Sequence, residues 1–191
     1  MWDEVFTPRM LAAVAIAAVA GWIRGVTGFG AAMVMTPPLS LMLGPQLAVP
    51  VTLMLETFAA APMLPSAARV AQWRILAPIS LAAVACVPIG AYVLATAEPD
   101  PLRRAIALIV IVFALLLLSG ARYHGKQRVS TSIALGSLSG TMLGATSIGA
   151  PPVILYLLAG PEPVNVTRAN LTLYVVVISA VGLLALAVRG V

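Results

Sequence analysis

Five apolar stretches in this chain are each long enough to cross a lipid bilayer as an α-helix. Crossing a hydrocarbon core of roughly 30 Å takes about 20 apolar residues in helical form. The stretches that meet this requirement are Pro8 to Val26, Leu47 to Leu64, Ile75 to Ala95, Leu102 to Ser119, and Val166 to Val188. Unpaired backbone groups cannot face hydrocarbon, so such stretches must pair their backbone internally, as helices do. We predict an all-α, polytopic membrane helix bundle that forms one transmembrane domain over residues 1–191.

The composition supports lipid as the surrounding solvent. Of the 191 residues, 61% are hydrophobic and only 9% are charged, too few charges to cover a water-facing surface. The net charge of +5 comes from short basic clusters between the apolar stretches, without the interleaved aromatics of a nucleic-acid groove. We therefore expect the lipid bilayer as a partner, and no nucleic acid.

Enzymatic and metal-dependent functions find no support in the sequence. Cys86 is the single cysteine, which excludes an intrachain disulfide and a cysteine metal cluster. The sequence also offers no paired intramembrane aspartates, no nucleophile beside a base, and no nucleotide-binding loop of the Walker type. We predict that the chain is not an enzyme, has no catalytic residues or metal site, and needs no cofactor.

Two further apolar pieces have awkward lengths for a membrane span. Ala31 to Leu43 is too short for a comfortable crossing, and Ser130 to Ala159 is too long for one. Glycine permits a sharp bend, and proline removes a backbone donor and blocks helix continuation. We expect Gly28 to Pro38 and Gly144 to Pro152 to be broken or non-helical and to lie close together inside the bundle.

The two awkward pieces have similar landmarks, which indicates an internal repeat. Two glycines and a proline recur 115 residues later, and a Gly-Pro pair recurs one residue further on. The pairs are Gly21 and Gly136, Gly25 and Gly140, Pro37 and Pro152, and Gly44-Pro45 and Gly160-Pro161. We assign a first repeat to residues 8–119 and a second, incomplete repeat to residues 130–191.

Repeats with interrupted helices are the usual architecture of secondary transporters. Their substrates bind near the bilayer midplane, where helices from the two copies are interrupted. The helix that follows each break presents N-terminal N–H groups and a positive dipole end, which favour an anion. The pattern predicts transport of an anion by alternating access around the two breaks.

The same segments resemble a known family. Arg24 to Leu39 reads RGVTGFGAAMVMTPPL, and Gly140 to Pro152 reads GTMLGATSIGAPP. Together with Gly44-Pro45, Trp73-Arg74, Gly90 and Arg168 to Leu171, these resemble the two repeat signatures of the TauE/SafE sulfite exporter family. The resemblance implies a permease of the cell inner membrane for small sulfur-containing or organic anions, such as sulfite, thiosulfate or sulfonates.

The resemblance also implies two more helices after the second repeat's long helix. The first repeat continues with Ile75 to Ala95 and Leu102 to Ser119, whereas the second reaches only Val191. The expectations are a truncated chain, or a partner subunit or homo-oligomer that covers the exposed face. The alternative function is a non-transporting or partner-requiring membrane subunit.

Arg24 and Arg168 are the predicted anion ligands. A charge at membrane depth faces a cavity or extends to the interface, and a guanidinium matches an oxyanion with a two-pronged fork. We expect both arginines to come from equivalent ends of the two repeats and to point into one cavity, with Asn170 adding neutral donors beside Arg168. The alternative for each arginine is an anchor at the membrane interface.

Glu56 is the only acid within a predicted span. Burial away from water favours the neutral, protonated carboxyl, so Glu56 is the proton-coupling candidate. The alternative is a neutral acid that is hydrogen-bonded between helices.

Residues around the two breaks complete the predicted substrate site. The alternative for the hydroxyls is a bond to their own backbone or to a neighbouring helix. For Gly21, Gly25, Gly136 and Gly140 we expect close helix packing instead. The remaining predicted site residues are Thr27, Gly28, Phe29, Gly30, Thr36, Pro37, Thr146, Ser147, Gly149, Pro151 and Pro152.

Basic residues set the expected orientation, since cytoplasmic loops carry an excess of Lys and Arg. Arg69 and Arg74 flank one loop, and Arg122, Lys126 and Arg128 lie in another. We expect the loops 65–74 and 120–129 to be cytoplasmic and the loop from Glu98 to Arg103 to be external.

Overall fold

The computed structural model describes residues 7–120, 128–160 and 162–190, and every regular element within them is helical. A 3-10 turn spans Ala61–Met63. The helices are α1 (Pro8–Thr27), α2 (Ala31–Leu43), α3 (Pro45–Ala60), α4 (Leu64–Val70), α5 (Trp73–Thr96), α6 (Pro99–Leu118), α7 (Val129–Thr146), α8 (Ala150–Leu158) and α9 (Val164–Val188). The chain is an all-α membrane helix bundle.

The five predicted spans are confirmed as long apolar helices. They are α1, α5, α6, α9, and the run from Pro45 to Val70 that joins α3 to α4. Residues 65–70, expected in a loop, instead continue this run, and only Ala71 and Gln72 separate it from α5. Most of the second predicted loop, residues 121–127, lies outside the described residues.

Both interruptions are present, but they are shorter than expected. α1 and α2 are separated by Gly28 to Gly30, and α7 and α8 by Ser147 to Gly149. Each preceding helix ends at a residue in the left-handed conformation, with φ of +85° at Gly28 and +60° at Ser147. A left-handed residue ends a helix by turning the chain away from the helical path.

The prolines do not break the helices. Pro37 and Pro38 lie inside α2, and Pro151 and Pro152 lie in the first turn of α8. A first-turn proline costs little, because the N–H group it lacks would have no partner within the helix. The glycines and Ser147 therefore mark the breaks.

Glycine packing joins α7 to α5 along most of their length. A Cβ atom built on Gly136 or Gly140 would overlap the backbone carbonyl oxygen of Ile79 or Ala83. Gly144 approaches the carbonyl of Val87 in the same way. The expected packing role of Gly136 and Gly140 is confirmed, because only glycine lets the two backbones approach this closely.

Gly21 and Gly25 do not have this role. Both are exposed on α1, and a Cβ atom built on either would meet nothing within 4 Å. The expectation of close packing at these two glycines is wrong, because no described neighbour approaches either glycine as closely as α5 approaches Gly136 and Gly140.

The helix boundaries relate the two interrupted segments by 119 residues rather than 115. The ends of α1 and α7, the starts of α2 and α8, and the starts of α3 and α9 all have this spacing. The pairs are Thr27 and Thr146, Ala31 and Ala150, and Pro45 and Val164. Gly44-Pro45 and Gly160-Pro161 follow the ends of α2 and α8. Their spacing is shorter because α8 has 9 residues and α2 has 13.

Candidate functional site

Each break is closed by a threonine that ends the preceding helix. The hydroxyl donates to a backbone carbonyl four residues earlier, at 2.8 Å in the first break and 2.7 Å in the second. The same hydroxyl oxygen accepts from the backbone N–H two residues later, at 3.3 and 3.2 Å. Thr27 bonds in this way to Ile23 and Phe29, and Thr146 bonds to Met142 and Ile148. Both threonines thus make the local backbone bonds that were their alternative role.

The two breaks meet inside the bundle. The hydroxyl oxygens of Thr36 and Ser147 lie 2.7 Å apart, and Thr36 also donates to Thr52 at 3.4 Å, with all three side chains buried. Gly30 and Ser147 line one internal cavity of about 10 Å³, which has room for roughly one water molecule. The expected proximity of the breaks is confirmed, and the site between them is closed.

Glu56 is held where an anion was expected. Its Oε1 atom accepts from Arg24 Nη1 at 3.0 Å and from the Ala32 backbone N–H at 3.2 Å. Arg24 is only 6% exposed and Glu56 only 5%. Ala32 lies in the first turn of α2, so the carboxylate combines a guanidinium with the positive end of a helix. These are the donors that an oxyanion requires, and an internal carboxylate occupies them.

The second break offers fewer donors. The first turn of α8 contains Pro151 and Pro152, neither of which has a backbone N–H. Our expectation that both helix N-termini suit an anion is therefore corrected, because two of the four N-terminal donors of α8 are absent. Gly149, which precedes α8, is packed against Leu143 and Ser139 and cannot accept a Cβ atom.

Arg168 lies elsewhere. Its side chain is exposed, donates from Nη2 to the Val26 carbonyl at 3.0 Å, and passes 3.5 Å from the position a Cβ atom on Gly28 would take. It lines a cavity of about 240 Å³ with Ser66, Asn165 and Thr172 among others. The guanidinium thus binds a carbonyl at the negative C-terminal end of α1.

Among the cavities lined by described residues, Arg24 and Arg168 line different ones. Arg24 lines a different cavity, of about 110 Å³, together with Glu56. The two arginines are not at equivalent positions, since residue 143, found 119 residues after Arg24, is a leucine. The Asn170 side chain accepts from the backbone N–H of Gln72 at 2.9 Å, which ties α9 to the start of α5.

Sequence reasoning missed a buried hydroxyl network behind the second break. Tyr174 donates to Ser139 Oγ at 2.5 Å, and Ser139 donates to the carbonyl of Gly149. A tyrosine within an otherwise apolar span was the available signal, because a buried phenol needs a hydrogen-bond partner. No group of metal-ligating side chains occurs in the described part of the chain.

The model of the family described as "Sulfite exporter TauE/SafE" matches residues 13–191. The chain belongs to the TauE/SafE family. Searches of curated proteins and of solved structures each found no match. This TauE/SafE chain is therefore a membrane protein, and its family is a family of anion and sulfite transporters. Its Arg24, Glu56 and Ala32 cluster and its two breaks lie within the matched range.

Proposed function

We propose that the chain is a secondary permease for small anions, in particular sulfur oxyanions such as sulfite, thiosulfate or sulfonates. The observation that carries the proposal is the position of Glu56, whose carboxylate accepts from both Arg24 and the N-terminal turn of α2. A substrate oxyanion has the same charge and acceptor geometry as this carboxylate. It would bind by replacing the carboxylate at these donors.

Charge balance favours co-transport of the anion with a proton. If Glu56 stayed ionised, an incoming monoanion would leave a net negative charge buried at membrane depth, which is costly. If Glu56 takes up a proton, it releases Arg24 and Ala32, and the anion then restores neutrality with Arg24. We infer that one proton, held by Glu56, accompanies each anion that Arg24 accepts.

Alternating access needs the two breaks to separate. The cavity between them has room for about one water, so an oxyanion requires it to widen. The contact between Thr36 and Ser147 is the polar link between the breaks. We propose that it opens when substrate enters, that the protein resides in the cell inner membrane, and that the side carrying Arg69 and Arg74 is cytoplasmic.

Uptake into proteoliposomes tests the proposal. Radiolabelled sulfite, thiosulfate and a sulfonate would be offered separately, each with and without an imposed pH gradient. The wild-type protein should accumulate at least one of these anions in response to the gradient. No gradient-driven accumulation of any of them would contradict the proposal.

Two variants test the proposed roles of Arg24 in anion binding and of Glu56 in proton uptake. Arg24→Gln should abolish anion uptake, because the guanidinium is lost. Glu56→Gln should keep anion exchange between equal pH compartments but lose its response to a pH gradient, since the amide cannot take up the proton. Arg104→Gln, at an exposed arginine of α6, is the matched control and should transport normally. Normal transport by Arg24→Gln would refute this site.

A further inference from the structure

The cavity of about 240 Å³ between α4 and α9 has an open rim and a buried floor. Ser66, Asn165 and Arg168 on its rim are exposed, whereas Ala169 and Thr172 at its floor are buried. Asn165, Arg168 and Thr172 follow one another along α9 at spacings of three and four residues, which places them on one face of the helix. α9 therefore supplies most of the polar groups of this cavity.

Each of these three side chains can donate a hydrogen bond to a ligand. Arg168 uses Nη2 on the Val26 carbonyl, which leaves other N–H groups of its five available. The side-chain amide of Asn165 makes no hydrogen bond within the described part of the chain. None of the described residues that line the cavity is acidic. Several donors around one positive charge match an oxyanion.

Thr172 points most directly to a ligand. Only 3% of this residue is exposed, and its hydroxyl makes no hydrogen bond with any described residue. Thr57 and Thr141, by contrast, each donate to the carbonyl four residues earlier in their helix. A buried hydroxyl without a partner has a free-energy cost, and that of Thr172 borders the cavity rather than being sealed within the bundle. A ligand oxygen in the cavity would accept its hydrogen bond.

The position and the apolar side of the cavity favour the phosphate group of a lipid. α9 has 25 residues and is about 37 Å long, which exceeds a hydrocarbon core of roughly 30 Å, so its first turn reaches the headgroup region. The other side contains Met63, Ala67 and Val70, and Ser66 there donates to the Met63 carbonyl at 2.9 Å. This apolar surface suits the glycerol and first acyl carbons of a lipid, whereas a small hydrated ion would gain nothing from it.

We propose that Asn165, Arg168 and Thr172 bind the phosphate group of an anionic phospholipid, with its glycerol and acyl carbons against the apolar side of the cavity. Basic pockets between membrane helices are known to bind such headgroups. The bound lipid would hold α4 and α9 together at this end of the bundle. The proposal concerns a membrane lipid, so it does not depend on the identity of the transported anion.

Native mass spectrometry of the delipidated chain in detergent tests the proposal. Phosphatidylglycerol is the probe, and phosphatidylcholine with the same acyl chains is the lipid control, because its choline group neutralises the phosphate charge. We expect one saturable phosphatidylglycerol adduct per chain, and binding of phosphatidylcholine that is weaker by about tenfold or more. Inorganic phosphate at the concentration of the lipid should not displace phosphatidylglycerol.

Side-chain substitutions separate lipid binding from folding. Thr172→Val removes the hydroxyl but keeps the shape of the side chain, and should weaken phosphatidylglycerol binding by about tenfold. Because this hydroxyl has no partner among the described residues, the variant should melt at the parent's temperature without lipid. Arg168→Gln should weaken binding by more than about tenfold, and Arg168→Lys should restore part of it. Arg104→Gln, at an exposed arginine of α6, is the matched control and should bind as the parent does.

Four results would each overturn the proposal. They are no saturable adduct, equal affinity for the two lipids, displacement by inorganic phosphate at equal concentration, and unchanged binding in either Thr172→Val or Arg168→Gln. Displacement by inorganic phosphate would assign the cavity to a free anion instead of a lipid.

Discussion

The two breaks share a backbone design but differ in their chemistry. Behind the first, Arg24 and Glu56 form a buried ion pair, and α2 begins with available N–H groups. The positions 119 residues later hold Leu143 and Val175, both in the apolar core, and α8 begins with two prolines. The same backbone arrangement thus lies beside a charged pair at the first break and beside an apolar wall at the second.

The comparison indicates what each copy contributes. In the proposed permease, the first break supplies the donors for an anion, and the second supplies the hydroxyl of Ser147 and part of the cavity wall. Two breaks with the same backbone design therefore need not form two equal half-sites.

Because α7 packs closely against α5, Gly140 should be essential for folding. Gly140→Leu places a side chain on the Ala83 carbonyl, so we expect a loss of more than about 4 kcal/mol and little folded protein. Gly21→Leu, at the matching position, should change the stability of the isolated chain by less than about 0.5 kcal/mol. Monodisperse yield and unfolding in SDS measure both. Equal losses would contradict the described difference between the two faces.

Replacing Arg24 and Glu56 by the leucine and valine found 119 residues later should separate the effect on stability from the effect on transport. Arg24→Leu alone leaves the Glu56 carboxylate unpaired and should cost about 3–5 kcal/mol. Arg24→Leu combined with Glu56→Val removes both charges and should recover most or all of that loss. The double variant should nevertheless transport no anion. SDS unfolding and proteoliposome uptake on the same preparations distinguish the two effects, and transport by the double variant would refute the charged site.

The left-handed residues that end α1 and α7 should differ in their response to substitution. Gly28→Ala adds a Cβ atom in the left-handed region and should destabilise by about 1–2 kcal/mol. Ser147→Gly relieves that strain but loses the bond to Thr36, so the two effects should cancel to within about 1 kcal/mol. Thermal unfolding in detergent gives both values. A large loss from Ser147→Gly would show that its hydroxyl dominates.

The threonines that close the breaks should behave alike. Thr27→Val and Thr146→Val remove the same pair of backbone bonds, and each should cost about 1 kcal/mol. Melting temperatures of the two variants, measured side by side, test the match. A clear difference between them would indicate that the threonine bonds contribute unequally to stability at the two breaks.

Span length and glycine position made the fold predictable from sequence. The apolar runs fixed five helices, because membrane thickness sets their length. Proline misled the placement of the breaks, since its effect depends on its position in the helix. Pro151 costs nothing in a first turn, whereas the left-handed Gly28 and Ser147 end helices wherever they occur.

The ion pair was harder to predict. Arg24 and Glu56 are 32 residues apart on different helices, and their meeting depends on how α1, α2 and α3 fold back on one another. A usable signal was nevertheless present, because each is a charged residue within an apolar stretch. Each charge alone at membrane depth has a high free-energy cost, so an ion pair between the two was the expectation with the lower cost. Arg168 could not be placed in this way, since its partner is a backbone carbonyl.

The ion pair of Arg24 and Glu56 also has an electrical consequence. In the proposed transport cycle the two charges sum to zero when no substrate is bound, so the empty site would reorient across the membrane without moving charge. Membrane potential acts on moved charge at about 2.3 kcal/mol per elementary charge per 100 mV, so it would leave this return step unaffected. A monoanion bound with one proton would be equally insensitive to voltage. A dianion carried with a single proton would move one negative charge per cycle, and its transport alone would be driven or opposed by the resting potential.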